Sequence, residues 1–494
     1  MTRATRRRSR ARAAARDPRA DLLALWRAAI AAIDPERLIA RAVAASRTRA
    51  TLALGRSRLV RARRRIRVAG AGKAAAAMAR AIAAVLPEVE GVVIVPRPAA
   101  RGSRRAAARG AAARGARRPA RIGRIRVLEG EHPVPGRGSF AATRALVRAL
   151  RRSPEDATVL LLLSGGASAL LAMPARGISA RDKVRLNRAI LEAGLPVSDM
   201  NTVRKHVSLV KGGGLLRLAA PREVVTLALS DVVGDDLATI GSGPAVADPT
   251  TAADAARALA RGVDVRRIPR AVRRLLAAGH AETVKPGDRL LARSYARVVG
   301  SNRTARAAAA RRARALGYRV VRVAGDLSGP ASACGVALAR SLPRSPGLPT
   351  AVVAGGETVV DARGTRGRGG RSQELALSAA RALRGTGWVL LAAGTDGVDG
   401  ATPAAGAIVD GVTAARAGAR AVARALAEHD SHGFFARHGG AFETGPTGTN
   451  AMDLVLALHP GSRAAGRLVR RDAVATGGTG GARRWPASRR ARGR

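Results

Sequence analysis

Short runs of aliphatic residues, each followed by glycine, serine or an acidic residue, recur along the chain. The runs TVLLLL at 158–163 and WVLLAA at 388–393 are typical. They are continuous rather than alternating, as expected for parallel strands buried on both faces. Stretches with helical spacing separate many of them, such as 303–316. The sequence therefore predicts a doubly wound α/β architecture, with strands at 66–70, 91–96, 158–163, 224–229, 296–300, 319–324, 351–354 and 388–393.

The length of 494 residues exceeds what one hydrophobic core usually serves, so two domains are expected. A boundary is predicted near 265–290, where Pro269, Pro286 and Gly287 interrupt an arginine-rich stretch. The helical stretch at 19–45 is expected to pack on the first domain. The predicted organisation is a basic disordered extension, a first α/β domain with a basic insertion, a second α/β domain and a basic disordered tail, at 1–18, 19–285 (insertion 101–121), 286–460 and 461–494.

The charge balance is extreme, with 88 basic against 34 acidic residues and a formal net charge of +54. Such a surface attracts polyanions. However, only five of the basic residues are lysines, and the excess arginines concentrate in segments without periodicity. Nucleic-acid-binding motifs are absent, and aromatic residues at 2% are too few for base stacking. The sequence therefore argues against a specific nucleic-acid function.

Cysteine content and hydropathy bear on the compartment. Cys334 is the only cysteine, so an intrachain disulfide is excluded and a reducing cytoplasm is favoured. No stretch approaches the ~18 apolar residues of a membrane span, and the first twenty residues lack the apolar segment of a secretory signal. We expect a cytoplasmic protein without a membrane partner. A homo-oligomer is left open.

Loops of similar composition follow four of the predicted strands. They are rich in small residues, and most carry carboxylates. Ligands of an open α/β sheet bind outside the carboxyl ends of its strands. The placement of these loops therefore predicts a site for an anionic ligand and a metal, formed by 164–168, 230–236, 355–358 and 394–400.

The glycine turn GAGK at 70–73 admits several interpretations. It fits a permissive dinucleotide fingerprint, but no acid ends the next strand to hold a ribose. A P-loop fails because Arg67 stands where its first glycine belongs and Ala74 replaces Ser/Thr. A helix N-terminus remains, where Gly72 lets a phosphate approach and Lys73 adds positive charge. A plain turn with a solvated lysine stays open.

Two further segments carry candidate anion ligands. The segment SGGAS runs from Ser164 through Gly165 and Gly166 to Ser168. Its backbone N–H groups and hydroxyls can bind a carboxylate or phosphate, but the same sequence also fits a tight packing turn. The segment NTVRKHVSLVKGGG at 201–214 has two interpretations. Its cations form a clamp for a small acid, or they lie on the basic face of a helix that ends in a glycine cap. The candidates are Arg204, Lys205 and Lys211, whereas His206 is interpreted as structural.

Carboxylates and arginines in glycine-rich loops suggest phosphoryl transfer. Mg²⁺ sites use one or two carboxylates together with substrate phosphates. The candidate acids are Asp231, Asp235, Asp236, Asp396 and Asp399. Arginines positioned at the start of a helix can stabilise the negative charge of a transferring phosphoryl group. GRGGRSQELAL at 367–377 supplies Arg368 and Arg371 in this position.

Together these motifs resemble one family, the glycerate 2-kinases with a C-terminal MOFRL domain. The resemblance extends from about 20 to 458 and rests on GAGKAA, EHPVP, LSGGASALL, NTVRKHVSLVKGG, LSDVVGDDLATIGSGP, GGETVV, GRGGRSQELAL, AAGTDGVDG and FETGPTGTNAMDL. It implies transfer of phosphate from ATP, with Mg²⁺, to the 2-hydroxyl of D-glycerate. It also implies two Rossmann-like α/β domains with an interdomain active-site cleft.

The resemblance also implies roles for individual residues. Lys73 and Arg371 resemble the family's catalytic lysine and arginine, and Asp396 resembles a catalytic or metal-linked acid. Together with the loop carboxylates, this predicts Asp231, Asp235 and Asp396 as metal ligands. With the residues argued from the loops themselves, the predicted substrate- and phosphate-binding residues are Gly72, Ser164, Gly165, Gly166, Ser168, Arg204, Lys205, Lys211, Gly355, Gly356, Glu357, Thr447, Thr449 and Asn450.

This sequence departs from the family at Ser372, where asparagine is usual, and at Gly136, where an acid is common. Two other functions remain. A hydroxypyruvate reductase needs a nicotinamide site, and the missing ribose acid counts against one. A nucleic-acid-binding protein needs salt-sensitive binding that survives deletion of the basic segments.

Overall fold

The computed structural model describes residues 17–45, 50–53, 59–61, 65–97, 120–279, 281–323 and 325–461. The basic extension, insertion and tail predicted from the sequence lie outside the described residues, except for residues 17, 18, 120, 121 and 461. Their predicted disorder stays a prediction. Within the described ranges, no helix is both long enough and apolar enough to span a membrane.

The described residues form two compact units. The first unit is Asp34–Ser301, and the second comprises residues 17–33 together with 302–461. Each is an α/β unit with its own seven-stranded sheet. A small antiparallel sheet precedes the sheet of the first unit, with strands β1 (Val43–Ala45), β2 (Ala50–Ala53) and β3 (Leu59–Arg61).

The main sheet of the first unit has the order β10-β9-β8-β4-β5-β7-β6. All neighbours pair in parallel except β6 and β7. The carboxyl ends of its parallel strands therefore share one edge, as the sequence predicts. The strands are β4 (Ile66–Ala71), β5 (Glu90–Pro96), β6 (Arg121–Ile122), β7 (Arg124–Gly130), β8 (Thr158–Leu163), β9 (Glu223–Leu229) and β10 (Ser294–Gly300).

Strand β8 shows why its sequence is continuously apolar. Val159, Leu161 and Leu163 belong to one hydrophobic core. Leu160 and Leu162 belong to another, on the opposite face of the sheet. The helices of this unit are Pro35–Ala42, Ala75–Val85, Arg137–Arg151, Ala167–Leu170, Ala180–Glu192, Val197–His206, Gly214–Ala219, Ala252–Gly262 and Arg270–Ala277, with 3₁₀ turns at Val233–Asp235, Ile240–Ser242, Val265–Arg267 and Arg289–Arg293.

The sheet of the second unit is mixed. Its order is β11-β13-β17-β14-β15-β16, and β12 pairs with β13. Only β11 and β12 run parallel to β13, whereas the other pairs are antiparallel. The strands are β11 (Arg319–Arg322), β12 (Leu327–Pro330), β13 (Thr350–Val359), β14 (Val389–Gly394), β15 (Gly406–Asp410), β16 (Ala441–Phe442) and β17 (Asp453–His459). The parallel pairing expected for 388–393 is therefore wrong, because an apolar run reports burial on two faces and not strand direction.

The helix Pro18–Ala32 was expected on the first domain but belongs to the second unit. It packs on the helix Asn302–Ala315, and its Trp26 meets Phe442 edge to face at 5.5 Å. The first unit also extends beyond the predicted boundary at 285, because β10 pairs with β9. The other helices of the second unit are Ala331–Ser341, Arg371–Ala382, Thr413–Ala417, Ala419–Ala427 and Ser431–His438.

Candidate active site

Two of the predicted loops meet at the carboxyl edge of the first sheet. Lys73 N–H donates to the Gly165 carbonyl oxygen at 2.8 Å, and Ala74 N–H donates to Ser164 Oγ at 3.0 Å. Gly72 has φ +137°, and a Cβ there would lie 2.1 Å from Ser164 Oγ. Glycine at this position therefore permits the close approach of the two loops. The GAGK and SGGAS segments form one structure because β4 and β8 are parallel neighbours.

Lys73 and His132 both lie close to the position that a Cβ of Gly166 would occupy. Gly166 has φ +84°, and a Cβ built on it would lie 3.0 Å from His132 Nε2 and 3.8 Å from Lys73 Cγ. Partial burial lowers the pKa of His132, and the positive charge of Lys73 lowers it further. His132 follows β7, so three strand ends contribute to this corner of the sheet.

A cavity of about 290 Å³ opens beside this corner. Its lining includes no aspartate or glutamate, but it contains five nitrogen-bearing side chains and one hydroxyl. The polar lining residues are His132, Ser168, Lys183, Asn187, Arg204 and Lys211. Pro133, Val134 and Pro135 of the EHPVP motif close one side.

Three cations of the lining lack an acidic partner within the part of the chain that the structure describes. Lys183 Nζ donates to the carbonyl oxygens of Arg204 and Val207 at 3.3 and 3.0 Å. Lys211 Nζ donates to the Ser168 carbonyl oxygen at 2.7 Å and to Ser168 Oγ at 3.0 Å. Among the described residues, no carboxylate lies within 4.0 Å of either ammonium or of the Arg204 guanidinium.

Burial shifts the acid–base equilibria of these cations. Lys183 and Lys211 are 1% and 2% exposed. Burial and the neighbouring Arg204 lower the pKa of Lys183 to about 7. Burial, together with Lys183 and Arg204, holds the pKa of Lys211 well below its usual value. Because a bound carboxylate or phosphate would stabilise all three charges, the cavity is suited to a small anion.

Lys205, which the sequence groups with Arg204 and Lys211, is placed differently. Its ammonium forms a 3.1 Å ion pair with Asp248, and both side chains are buried. Thr250 donates to the same carboxylate from its backbone N–H and its hydroxyl. The structure therefore brings Arg204 and Lys211 to the cavity but pairs Lys205 inside the protein. His206 Nδ1 lies 2.8 Å from the Thr202 carbonyl oxygen, in keeping with its structural interpretation.

The acidic loop after β9 carries two of the predicted metal ligands, Asp231 and Asp235. The neighbouring Asp236 accepts from Ala238 N–H and from Thr239 Oγ1, and so caps a turn. Within the described part of the chain, no three His, Cys, Asp or Glu side chains cluster closely enough to hold a metal. Carboxylate oxygens of Asp231 and Asp235 are the hard donors that Mg²⁺ accepts in ones or twos beside substrate phosphates. The donor set fits Mg²⁺ on that basis, and the metal site stays a prediction.

In the second unit, Arg371 begins the helix Arg371–Ala382 and is held by two acids. Its Nε and Nη2 donate to the two carboxylate oxygens of Asp453 at 2.6 and 3.1 Å. Its Nη1 donates to Glu357 Oε1 at 2.6 Å. Burial disfavours the guanidinium charge, but Asp453 and Glu357 outweigh this effect and raise the pKa of Arg371. Burial raises the pKa of Asp453 to about 7 despite the attraction of Arg371.

Two predicted acids of the GTDGVDG loop take different positions. Asp399 caps the helix of Arg371, because it accepts the backbone N–H groups of Ser372 and Gln373 at 3.0 and 2.8 Å. Asp396 accepts Val398 N–H at 3.2 Å. A Cβ at Gly394 would lie 3.3 Å from Asp396 Oδ1 and 3.5 Å from Asp453 Oδ1. Asp396 therefore lies close to the Arg371 cluster, and its catalytic role stays a prediction.

The remaining predicted residues of this unit make structural contacts. A Cβ at Gly355 would clash with Asn302 Oδ1 at 2.3 Å, and one at Gly356 with the Leu327 carbonyl oxygen at 2.2 Å. Thr447 Oγ1 donates to the Thr395 carbonyl oxygen at 2.6 Å, and Thr449 Oγ1 to the Ile33 carbonyl oxygen at 2.7 Å. Asn450 follows in the same loop. Their roles in phosphate binding stay predictions.

Sequence reasoning missed four residues of these two sites, namely His132, Lys183, Asn187 and Asp453. The scarcity of lysine was a usable signal for Lys183, because only five lysines occur in the chain. For Asp453 the usable signal was its position, because this acid stands directly before the apolar run of β17. Asn187 on the helix Ala180–Glu192 carries no comparable signal.

Comparisons with known proteins bear on the family. Residues 21–277 match the family described as Domain of unknown function (DUF4147), and residues 350–453 match the MOFRL family. A curated relative from Pyrococcus horikoshii, a glycerate 2-kinase, is 38% identical over 354 residues, which cover 69% of this chain and 79% of that protein. The chain belongs to the glycerate kinase family.

A solved glycerate kinase supports this assignment, and another relative carries a different name. The crystal structure of a glycerate kinase from Thermotoga maritima superposes with a TM-score of 0.71 at 32% identity, and covers 89% of this chain and 98% of that chain. A protein of Agrobacterium vitis, provisionally named hydroxypyruvate reductase, is 41% identical over 343 residues, which cover 67% of this chain and 77% of that protein.

Proposed function

We propose that this protein is a glycerate 2-kinase, which transfers the γ-phosphate of ATP to the 2-hydroxyl of D-glycerate. The observation that carries the proposal is the cavity of the first unit, where no carboxylate of the described residues pairs with Lys183, Arg204 or Lys211. Cations that line a cavity with no acid in its lining favour an anionic ligand, and the volume of about 290 Å³ suits a three-carbon acid. The names of the curated relatives support the same reaction.

The proposed roles follow from the positions of these side chains. The substrate carboxylate binds to the three cations, which orients the hydroxyl group toward the corner formed by Lys73 and His132. Lys73 supplies a positive charge for the transferring phosphoryl group, whose transition state spreads negative charge over its oxygens. Arg371 and Asp396 are proposed to act on the same group, as the family resemblance implies. Mg²⁺, held by Asp231 and Asp235 together with ATP, would neutralise phosphate charge.

Single-turnover phosphorylation of D-glycerate tests this proposal. Lys73→Ala is expected to lower the rate about 10²–10³-fold, because it removes a charge aimed at the transferring group. Lys73→Arg should also be slow, since a planar guanidinium does not replace a compact ammonium. Arg80→Ala, on an exposed ion pair of the following helix, is the matched control and should retain the wild-type rate.

Identification of the product completes the test. Phosphorus NMR should show 2-phosphoglycerate after incubation with ATP, Mg²⁺ and D-glycerate. Near-normal turnover by Lys73→Ala would remove Lys73 from the mechanism. Oxidation of a nicotinamide cofactor in the presence of hydroxypyruvate, without any phosphorylated product, would replace the kinase proposal by a reductase.

A further inference from the structure

We propose that His132 is the general base that accepts the proton of the substrate's 2-hydroxyl group. This inference rests on the proposed kinase function and adds a catalytic residue to it. A hydroxyl that attacks phosphorus must lose its proton, and a positioned side chain near neutrality can take it. His132, which lines the cavity of the first unit, is a side chain of that kind.

The position of His132 is fixed by the residues around it. The carboxylate of the preceding residue, Glu131, is engaged in hydrogen bonds to the backbone. It accepts the N–H groups of Gly138 and Ser139 at 3.1 and 2.9 Å. These bonds anchor the EHPVP segment to the start of the helix Arg137–Arg151. On the other side, the Cδ2–Nε2 edge of the ring faces Gly166, where the absence of a side chain leaves space for the imidazole. Nε2 is therefore held at the edge of the cavity.

The alternatives within the cavity lining are unsuited to this task. The lining holds no aspartate or glutamate. Its other titratable groups are Lys183, Arg204 and Lys211. Lys183 also has a pKa of about 7, but like the other two cations it must be protonated to hold an anion. Ser168 donates to or accepts from Ser242 Oγ at 2.8 Å and accepts from Lys211. His132 is the lining residue with an ordinary pKa near neutrality.

The charges that face His132 keep its imidazole neutral and able to accept a proton. Lys73 is the cation whose charge lowers the pKa of His132, and the other cations at the cavity are Lys183, Arg204 and Lys211. Partial burial and the charge of Lys73 place the pKa of His132 below its usual 6.5. The Glu131 carboxylate, the one acid adjacent in sequence, is turned to the helix and to Arg97. When D-glycerate and ATP bind, their negative charges offset these cations, so the basicity of the ring increases as the reaction begins.

The reaction step balances without further reactants. The 2-hydroxyl oxygen forms a bond to the γ-phosphorus, and its proton moves to Nε2 of His132. The bond between the γ-phosphorus and the β–γ bridging oxygen breaks, and its electron pair leaves with ADP. His132 then releases the proton to solvent.

Steady-state kinetics of His132→Gln and His132→Ala test the inference. For both variants we expect kcat to fall about 10²-fold or more, with KM for D-glycerate within about threefold of wild type. The rate of the wild-type enzyme should fall as pH drops through the pKa of His132, and this acidic limb should disappear in both variants. Imidazole added to His132→Ala should restore part of kcat. His438→Gln, a change of an exposed histidine of the second unit, is the control and should behave as wild type.

Two outcomes would overturn the assignment. One is a kcat of His132→Gln within about threefold of wild type; the other is an acidic limb that persists unchanged in both variants. A base elsewhere in the chain would then be required. Failure of the kinase proposal itself is distinct, because the wild-type protein would then give no phosphorylated glycerate at any pH.

Discussion

The two units handle buried charge in opposite ways. In the first unit, three cations share a cavity whose lining contains no acid. In the second unit, one arginine is enclosed by Asp453 and Glu357, and Asp399 lies close enough to raise the pKa of Asp453. The first arrangement is incomplete without an anion, whereas the second is already neutralised by the protein itself.

This difference distinguishes cations that are available to bind a ligand from cations that stabilise the fold. A cation without a partner costs folding free energy, which a ligand can recover on binding. A cation within an ion-pair network fixes its neighbours, and its removal leaves buried acids without compensation. Substitutions in the first unit should therefore affect ligand affinity more than stability, and those in the Arg371 cluster should affect both.

The largest effect is expected for Arg371→Ala. If Arg371 stabilises the transferring phosphoryl group, kcat should fall about 10³-fold. Unfolding free energy should also fall by about 2 kcal/mol, less than the ~3–5 kcal/mol of a fully buried pair because the side chain is 34% exposed. Turnover assays and urea unfolding measure the two effects.

Arg363→Ala is the matched control, because the Arg363–Asp361 pair is exposed and should contribute almost nothing to stability. Loss of activity in Arg371→Ala without any loss of stability would show that the cluster is not a structural network, and the contrast between the units would fail.

Lys205→Met and Lys211→Met compare two buried lysines that lie six residues apart. Lys205→Met should lower the unfolding free energy by about 3–5 kcal/mol, because Asp248 is left buried without its partner. Lys211→Met removes an ammonium that has no acidic partner, so the change should be about 1 kcal/mol or less. Urea unfolding of both variants checks these values.

Affinity for D-glycerate should respond in the opposite order. Lys211→Met should weaken binding about 10–100-fold, the loss expected for one hydrogen bond to a charged group. Lys205→Met, measured at a temperature where it remains folded, should bind within about threefold of wild type. Equal losses of affinity in the two variants would contradict the separation of their roles.

The smallest effect is the uptake of protons on binding. The pKa of Lys183 lies near 7 in the folded protein, against 10.5 for a solvated lysine. Between these values the unfolded chain binds more protons, so unfolding free energy should rise with pH above 7. A bound carboxylate favours the ammonium, and D-glycerate binding at pH 8 should therefore take up as much as about one proton at this site.

Calorimetry of D-glycerate binding in buffers of different protonation enthalpy measures this uptake, and Lys183→Met should reduce it.

Asp453 should change the unfolding free energy with pH in the opposite direction to Lys183. Its pKa of about 7 exceeds the 3.8 of a solvated aspartate, so the folded protein binds more protons between these values. Unfolding free energy should fall as pH rises from about 4 to 7, and uptake of zero protons together with a flat profile would contradict both assignments.

Much of the first unit was predictable because its signals are local. The strands at 66–70 and 158–163 were found within one residue, and their loops meet at one edge because parallel strands end together. The second sheet was less predictable. Strand β17 lies antiparallel between β13 and β14, and the hydrophobicity of a segment does not indicate the direction of its strand.

The pairing of charges was not predictable from position. Arg204 and Lys205 are adjacent in the sequence, yet one lines the cavity and the other pairs with Asp248, 43 residues away. Arg371 and its partner Asp453 are separated by 82 residues. Such distances lie beyond any local pattern, since only the folded chain brings these side chains together.

The sequence by itself determined the α/β class, the aliphatic strands and the polar loops at their ends, because burial and turn formation depend on residues that are near one another. The tertiary structure alone decided which cations face a cavity and which are neutralised by an acid. That choice depends on contacts between distant segments, where a single ion pair of a few ångströms changes a charge from a ligand-binding group into a structural one.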